Sequence, residues 1–246
     1  MYIDINCDIG EGIGNEALLM PFISSANIAC GFHAGDEDEM RRMVRLCLEY
    51  NVAIGAHPSF PDKENFGRRE MIFACEEVQQ FIREQLMVLS KILSASGGKL
   101  HHVKPHGALY NMAAKDALLA ACIAKAVKDF DDSLIYYGLS GSVMIDEAGR
   151  FGLRVASEVF ADRTYQPDGS LTPRTIKGAL ITNEAEAAKQ VMQMVNSNSV
   201  TASNGDRIRI QADTICIHGD GPHAVEFAKR IKDSLHAAGI LIMKPG

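Results

Sequence analysis

Short β-rich runs and amphipathic stretches of helical period alternate along almost the whole chain, and few architectures accommodate that order. The runs fall at about residues 2–6, 24–29, 52–57, 102–106, 134–137, 154–159 and 214–218, most of them followed by a helical pattern. Strands joined through helices run parallel, because a parallel pair needs a crossover of a dozen or more residues. Met40, Met43, Val44 and Cys47 share one helical face, as do Val78, Phe81, Ile82, Leu86, Leu89 and Leu93. Val225, Ala228, Ile231 and Leu235 repeat the stripe near the carboxyl terminus, between Pro222 and Gly239. No Pro/Ser/Gly-rich linker divides the 246 residues, so the expectation is one α/β domain over 1–246, a parallel (β/α) barrel.

Three of the runs end in histidine: Gly55-Ala56-His57, Lys104-Pro105-His106 and Cys216-Ile217-His218. In a parallel barrel the carboxyl ends of the strands gather on one face, so these side chains are expected to converge there. Strand alternation places Asp4, Asn6 and Asp8 on one side of the first run, and Lys104 and His106 on one side of the fourth. His33 lies in the glycine-bounded turn Gly31-Phe32-His33-Ala34-Gly35, just before Asp36, which reads as the cap of the next helix. His33 is free to bind a metal, act as a base or only hold its loop. Together with His57, His106 and Asp8 it offers a nitrogen and oxygen set for a divalent metal, although the spacing matches no local zinc motif.

A lysine inside a barrel needs an anion. Lys104 is placed either to stabilise developing negative charge or to pair with Asp8 or Glu158. Glu158 and Asp162 flank the end of the sixth run, and Arg163 and Arg174 follow on a long loop over 160–178. A second long loop covers 58–70. Loops of that length usually carry function or pack as Ω-loops, so 160–178 reads either as a substrate lid or as a loop packed by its own tyrosine. His218-Gly219-Asp220-Gly221 leads into a helix whose start could receive an anion.

Other chemistries are disfavoured. A net charge of -6 and a pI near 5.8 supply no basic stripe for nucleic acid. No apolar run is long enough to cross a membrane and the first residues do not resemble a signal peptide, so a cytoplasmic protein is expected. Gly97-Gly98-Lys99 lacks the spacing of a phosphate loop, and Gly138-Leu139-Ser140-Gly141-Ser142 is shifted from a nucleophile elbow. The six cysteines, at 7, 30, 47, 75, 122 and 216, form no C-x-x-C pair and read as buried free thiols.

The segment Asp4-Ile5-Asn6-Cys7-Asp8-Ile9-Gly10-Glu11, residues 27–36, 55–61, 103–111 and 158–165, and His218-Gly219-Asp220 together resemble the LamB/YcsF family, in order and over nearly the whole chain. The first block departs from the family pattern only at Ile5 and Cys7, which leaves its polar positions intact. The resemblance implies a distorted seven-stranded α/β barrel similar to those of glycoside hydrolases and carbohydrate deacetylases. It also implies ATP-dependent opening of 5-oxo-L-proline to L-glutamate, with 5-oxoprolinase subunits B and C supplying the ATP-dependent activation. On that reading Asp8 or Glu158 is the general base and His106 carries a proton to the ring nitrogen. Lys104 and Arg163 meet phosphate charge, Arg174 meets the substrate carboxylate, and Asn6, His33, His57, Asp162 and His218 complete the substrate site. Two competing functions are a metal-dependent amidohydrolase or carbohydrate deacetylase, and a non-catalytic 5-oxoproline-binding subunit.

Overall fold

The computed structural model describes residues 1–218 and 224–246. Its centre is a closed barrel of seven parallel strands: β1 (Tyr2–Ile9), β2 (Ser25–Ala29), β3 (Ala53–His57), β4 (His102–Val103), β5 (Ile135–Leu139), β6 (Arg154–Phe160) and β9 (Thr214–His218). Each pairs with the next, and β9 pairs with β1 to close the ring. β10 (Leu241–Ile242) adds to the outer end of β1, while β7 (Ser199–Thr201) and β8 (Arg207–Arg209) form a separate antiparallel pair. The helices are α1 (Glu16–Leu19), α2 (Glu37–Tyr50), α3 (Cys75–Ala95), α4 (Gly107–Ala113), α5 (Ala117–Phe130), α6 (Val143–Arg150), α7 (Glu184–Ser197) and α8 (Ala224–Ala237). Among the described residues, no helix is long and apolar enough to cross a membrane.

Strand alternation sorts the two faces. Along β1, Ile3, Ile5, Cys7 and Ile9 belong to the apolar core, joined there by Met43, Val44 and Cys47 of α2 and by Leu86, Leu89 and Leu93 of α3. Asp4, Asn6 and Asp8 alternate with them and are also buried. They bond across the interior to Tyr137 of β5, Glu158 of β6 and Lys104. The barrel is therefore apolar outside and polar within. Asp4 accepts from Ser24, Ser25, Tyr137 and Thr214 at 2.6–3.0 Å, which fills a carboxylate's capacity. Burial raises its pKa, and those four bonds oppose the rise.

Three features depart from expectation. β1 runs on to Ile9, since Asp8 and Ile9 still pair with Asn27 and Ile28 of β2. The ladder of β4 is limited to His102 and Val103, because Pro105 has no N–H and α4 begins at Gly107. Single bonds nevertheless extend its path, from Lys104 N to Ala56 O and from His106 N to Pro58 O. The cysteines are not all free: Cys75 and Cys122 are joined in a disulfide, while Cys7, Cys30, Cys47 and Cys216 are buried thiols. The sequence separation of 47 between the bonded pair conceals a contact made only because α3 packs beside α5.

The expected helix cap is present, with the Asp36 carboxylate accepting from Glu39 N at 2.9 Å. The expected start of the last helix at Pro222 and the anion site at Gly219-Asp220-Gly221 lie outside the described residues.

Candidate active site

At the carboxyl ends of the strands, register sets the neighbours. Asp8 pairs with Asn27 on one side and with His218 on the other, and Ala29 pairs with His57. Lys104 enters this ring from the end of β4 and is 2% exposed. Its ammonium lies 2.9 Å from Asp8 Oδ1, 2.8 Å from Glu158 Oε1, 3.2 Å from Asn6 Oδ1 and 3.1 Å from Cys216 Sγ. Burial works against its charge, but Asp8, Cys216 and Glu158 outweigh it and hold the ammonium well above its ordinary pKa. Asp8 also accepts from Asn27 Nδ2 at 2.8 Å. Burial would raise Asp8, yet the His57 ring and the Lys104 ammonium keep it well below the usual carboxylate range.

Beside Asp8 stand three imidazoles and Glu11. His33 Nε2 is 3.1 Å from Glu11 Oε1, His106 Nδ1 is 3.5 Å from the same oxygen, and His57 Nε2 is 3.4 Å from Asp8 Oδ2. His33 and His106 stack with centroids 3.7 Å apart, and His57 meets both edge-on. Burial, then the neighbouring rings, hold His33 and His106 well below the ordinary histidine range. Burial and the Asp8 charge raise Glu11.

The loop over 58–70 is brought here by Gly107, whose φ is +57° and whose Cα lies so close to Gly67 that an added Cβ would come within 2.5 Å of Gly67 O. That approach carries Phe66 O to 2.9 Å from His106 Nε2.

The third part is the loop after β6. Tyr165 is fully buried and its hydroxyl accepts from Phe160 N at 2.8 Å, so the loop is packed by its own tyrosine. It also reaches over the mouth. Arg163, Leu171, Pro173 and Arg174 line a cavity of about 780 Å³ together with Asp8, Lys104 and other residues of the strand ends. Arg163 donates to Thr172 O, but its buried Nε–H has no partner among the described residues. Burial and then the nearby Arg174 charge bring its guanidinium down to about 10. His218 Nδ1 lies 2.8 Å from Asp162 Oδ2. Burial opposes the His218 charge, but Asp162 overrides it and raises the pKa.

Of the residues singled out in the sequence, Asp8, His57, Lys104, His106, Arg163, Arg174 and His218 line the cavity. Asn6, His33, Glu158 and Asp162 lie behind that lining, each bonded or ion-paired to a group in front of it. The carboxylate that completes the three histidines is Glu11, whereas Asp8 groups with Cys216 and His218. Glu11 follows Gly10, whose φ of +75° turns the chain back over the strand end; a glutamate after glycine carries no signal of that turn's direction. Asn27 was likewise hidden, inside an apolar run.

The pattern of the LamB/YcsF family matches residues 3–245. The A-type subunit of a 5-oxoprolinase from Geobacillus kaustophilus (strain HTA426) is 53% identical over 247 residues, covering 99% of this chain and 96% of that one. A solved lactam utilization protein from Thermus thermophilus superposes with a TM-score of 0.93 at 43% identity, over 100% of both chains. The peptidoglycan deacetylase PdaC of Bacillus subtilis, at a TM-score of 0.51 and 12% identity, shares the fold.

Proposed function

The chain belongs to the LamB/YcsF family, and from that premise we propose that it is the component of an ATP-dependent 5-oxoprolinase in which the lactam ring of 5-oxo-L-proline is opened to L-glutamate. The observation that carries the reading is the opposition of charges across the cavity. Asp8 faces it from the strand ends, and Arg163, with an unpartnered Nε–H among the described residues, faces it with Arg174 from the loop. A small lactam bearing one carboxylate fits that polarity, with its carboxylate on the arginines and its amide toward Asp8.

An unstrained five-membered lactam hydrolyses slowly, so ATP is needed to activate it. Phosphorylation of the amide oxygen makes the ring carbon electrophilic. Water then adds there, the ring C–N bond breaks with a proton going to nitrogen, and the resulting acyl phosphate is released by a second water as L-glutamate and phosphate. Activation is the task of partner subunits B and C, in keeping with the Geobacillus relative being one subunit of its enzyme; we place the complex in the cytoplasm.

Within this scheme Asp8, ionised at neutral pH, orients the attacking water. Lys104 is a positioning residue, since its donors are already taken by Asp8, Glu158, Asn6 and Cys216. Glu158, fully buried behind it, holds the ammonium in place. His106 Nε2 is held by Phe66 O and its Nδ1 faces His57 Nε2 at 2.9 Å, which makes it a member of the histidine group rather than a free proton carrier.

The test is glutamate formation from 5-oxoproline and ATP by the purified chain, alone and with subunits B and C. We expect turnover only in the mixture, and Asp8→Asn should lower it by roughly a hundredfold or more. Arg174→Ala should mainly raise the KM for 5-oxoproline. Full turnover by the lone chain, or by an Asp8→Asn complex, would refute this assignment.

A further inference from the structure

Two imidazoles in this site confront each other with lone pairs. His57 Nδ1 lies 2.7 Å from the Lys104 carbonyl, which can only accept, so this nitrogen carries the proton. His106 Nε2 lies 2.9 Å from the Phe66 carbonyl and carries its proton for the same reason. The remaining nitrogens, His57 Nε2 and His106 Nδ1, are then both bare in the neutral rings, yet they stand 2.9 Å apart. Either a proton shared by the two rings or a metal ion must lie between or beside them.

The surroundings say what. Glu11 Oε1 and His33 Nε2, 3.1 Å apart, complete a group whose four ligand atoms all lie within 4.8 Å of one another. Ligand atoms bound tetrahedrally at ~2.0–2.1 Å from a zinc ion stand about 3.3 Å apart. The separations of 2.9 Å for His57 to His106, 3.1 Å for His33 to Glu11 and 3.5 Å for His106 to Glu11 bracket that value. The backbone carbonyls behind His57 and His106 are the outer partners that fix the tautomer of metal-binding imidazoles. His33 Nδ1 has no partner among the described residues, and its ring is held by stacking on His106 and by the edge contact with Phe66.

We infer that Glu11, His33, His57 and His106 form a binding site for one divalent transition-metal ion. Three imidazoles and one carboxylate favour zinc or a similar borderline ion over magnesium or calcium, which prefer all-oxygen surroundings. Glu11, His57 and His106 line the cavity, so the ion is open to it on one side and lies next to Asp8. Such an ion would bind whatever the substrate is, so its presence is decided separately from the proposed reaction.

The experiment titrates zinc(II) into the full-length chain after chelator treatment and dialysis, followed by calorimetry, with cobalt(II) absorption as a second readout. We expect one ion per chain and an intense visible band of four-coordinate cobalt. Glu11→Gln and His106→Asn, checked for folding by circular dichroism, should each weaken binding by more than the ~10–100-fold lost with an outer partner. Should either variant fail to fold, the cobalt spectrum and stoichiometry of the unaltered chain decide. Absence of a stoichiometric ion in that chain, or zinc binding unchanged in both folded variants, would overturn the site. In that case the two histidines must share a proton, visible as a far-downfield resonance in metal-free protein.

Discussion

Lys104 shows how little freedom a buried cation has once its acceptors are in place. With Asp8 and Glu158 both within 3 Å, one buried ammonium is shared between two carboxylates. Removing one member of such a group strands the rest, so Lys104→Met should lower unfolding stability by about 3–5 kcal/mol, measured by urea denaturation. The loss would come from uncompensated charge rather than from a cavity, and Lys104→Met combined with Glu158→Gln should recover part of it. The His218–Asp162 pair makes a separate residue-scale prediction. The folded pKa of His218 lies above its ordinary 6.5, so the pair's contribution to stability is complete below that value and is lost as pH rises through the folded pKa. In Asp162→Asn only burial remains dominant, and an NMR titration should find the His218 pKa moved to below 6.5. An unchanged titration would show that Asp162 does not set it.

At the scale of elements, the barrel depends on close approaches that strand pairing alone does not reveal. Gly55 of β3 faces the His102 ring so closely that an added Cβ would lie 2.1 Å from His102 Nε2. His102 cannot retreat without losing its bond to Asn27 Oδ1 at 2.8 Å, and Asn27 in turn holds Asp8. Gly55→Ala should therefore cost about 1–3 kcal/mol or more by overpacking and should disturb Asp8 through this chain of bonds. Thermal melts and turnover of the reconstituted complex would both register it. The disulfide acts between elements as well. It joins the first residue of α3 to the second turn of α5, and Cys75→Ser with Cys122→Ser should lower stability by about 2–4 kcal/mol, mainly by freeing the unfolded chain. Identical denaturation curves for the paired variant and the unaltered chain would remove the disulfide from any account of stability.

For the whole molecule, closure is the governing fact. β9 comes after nearly all the rest of the chain and yet pairs with both β1 and β6, and its Thr214 bonds to Asp4 and Asn6 inside the barrel. Without it those interior groups lose partners and two strand edges open, each at a cost comparable to a lost buried hydrogen bond. A fragment over residues 1–198 should therefore lack a cooperative thermal transition, as followed by far-UV circular dichroism. The complete chain should unfold as one unit. A fragment that melts cooperatively would show that the barrel is not a single domain.

Much of this was legible in the chain itself. Alternating patterns identified the seven barrel strands, because burial on a pleated or helical surface imposes its period on local sequence. The same period put Asp4, Asn6 and Asp8 on one face and brought the strand-end histidines to one mouth. What local sequence cannot express is which atoms meet. The ring nitrogens of His57 and His106 face each other, Glu11 rather than Asp8 joins His33, and Cys75 finds Cys122. Glu158 and Lys104 look in sequence like independent reactive groups and become an ion pair only when β6 and the end of β4 face across the interior. These outcomes depend on side chains from segments far apart in the chain coming within about 3 Å of one another, and only closure of the barrel sets such distances.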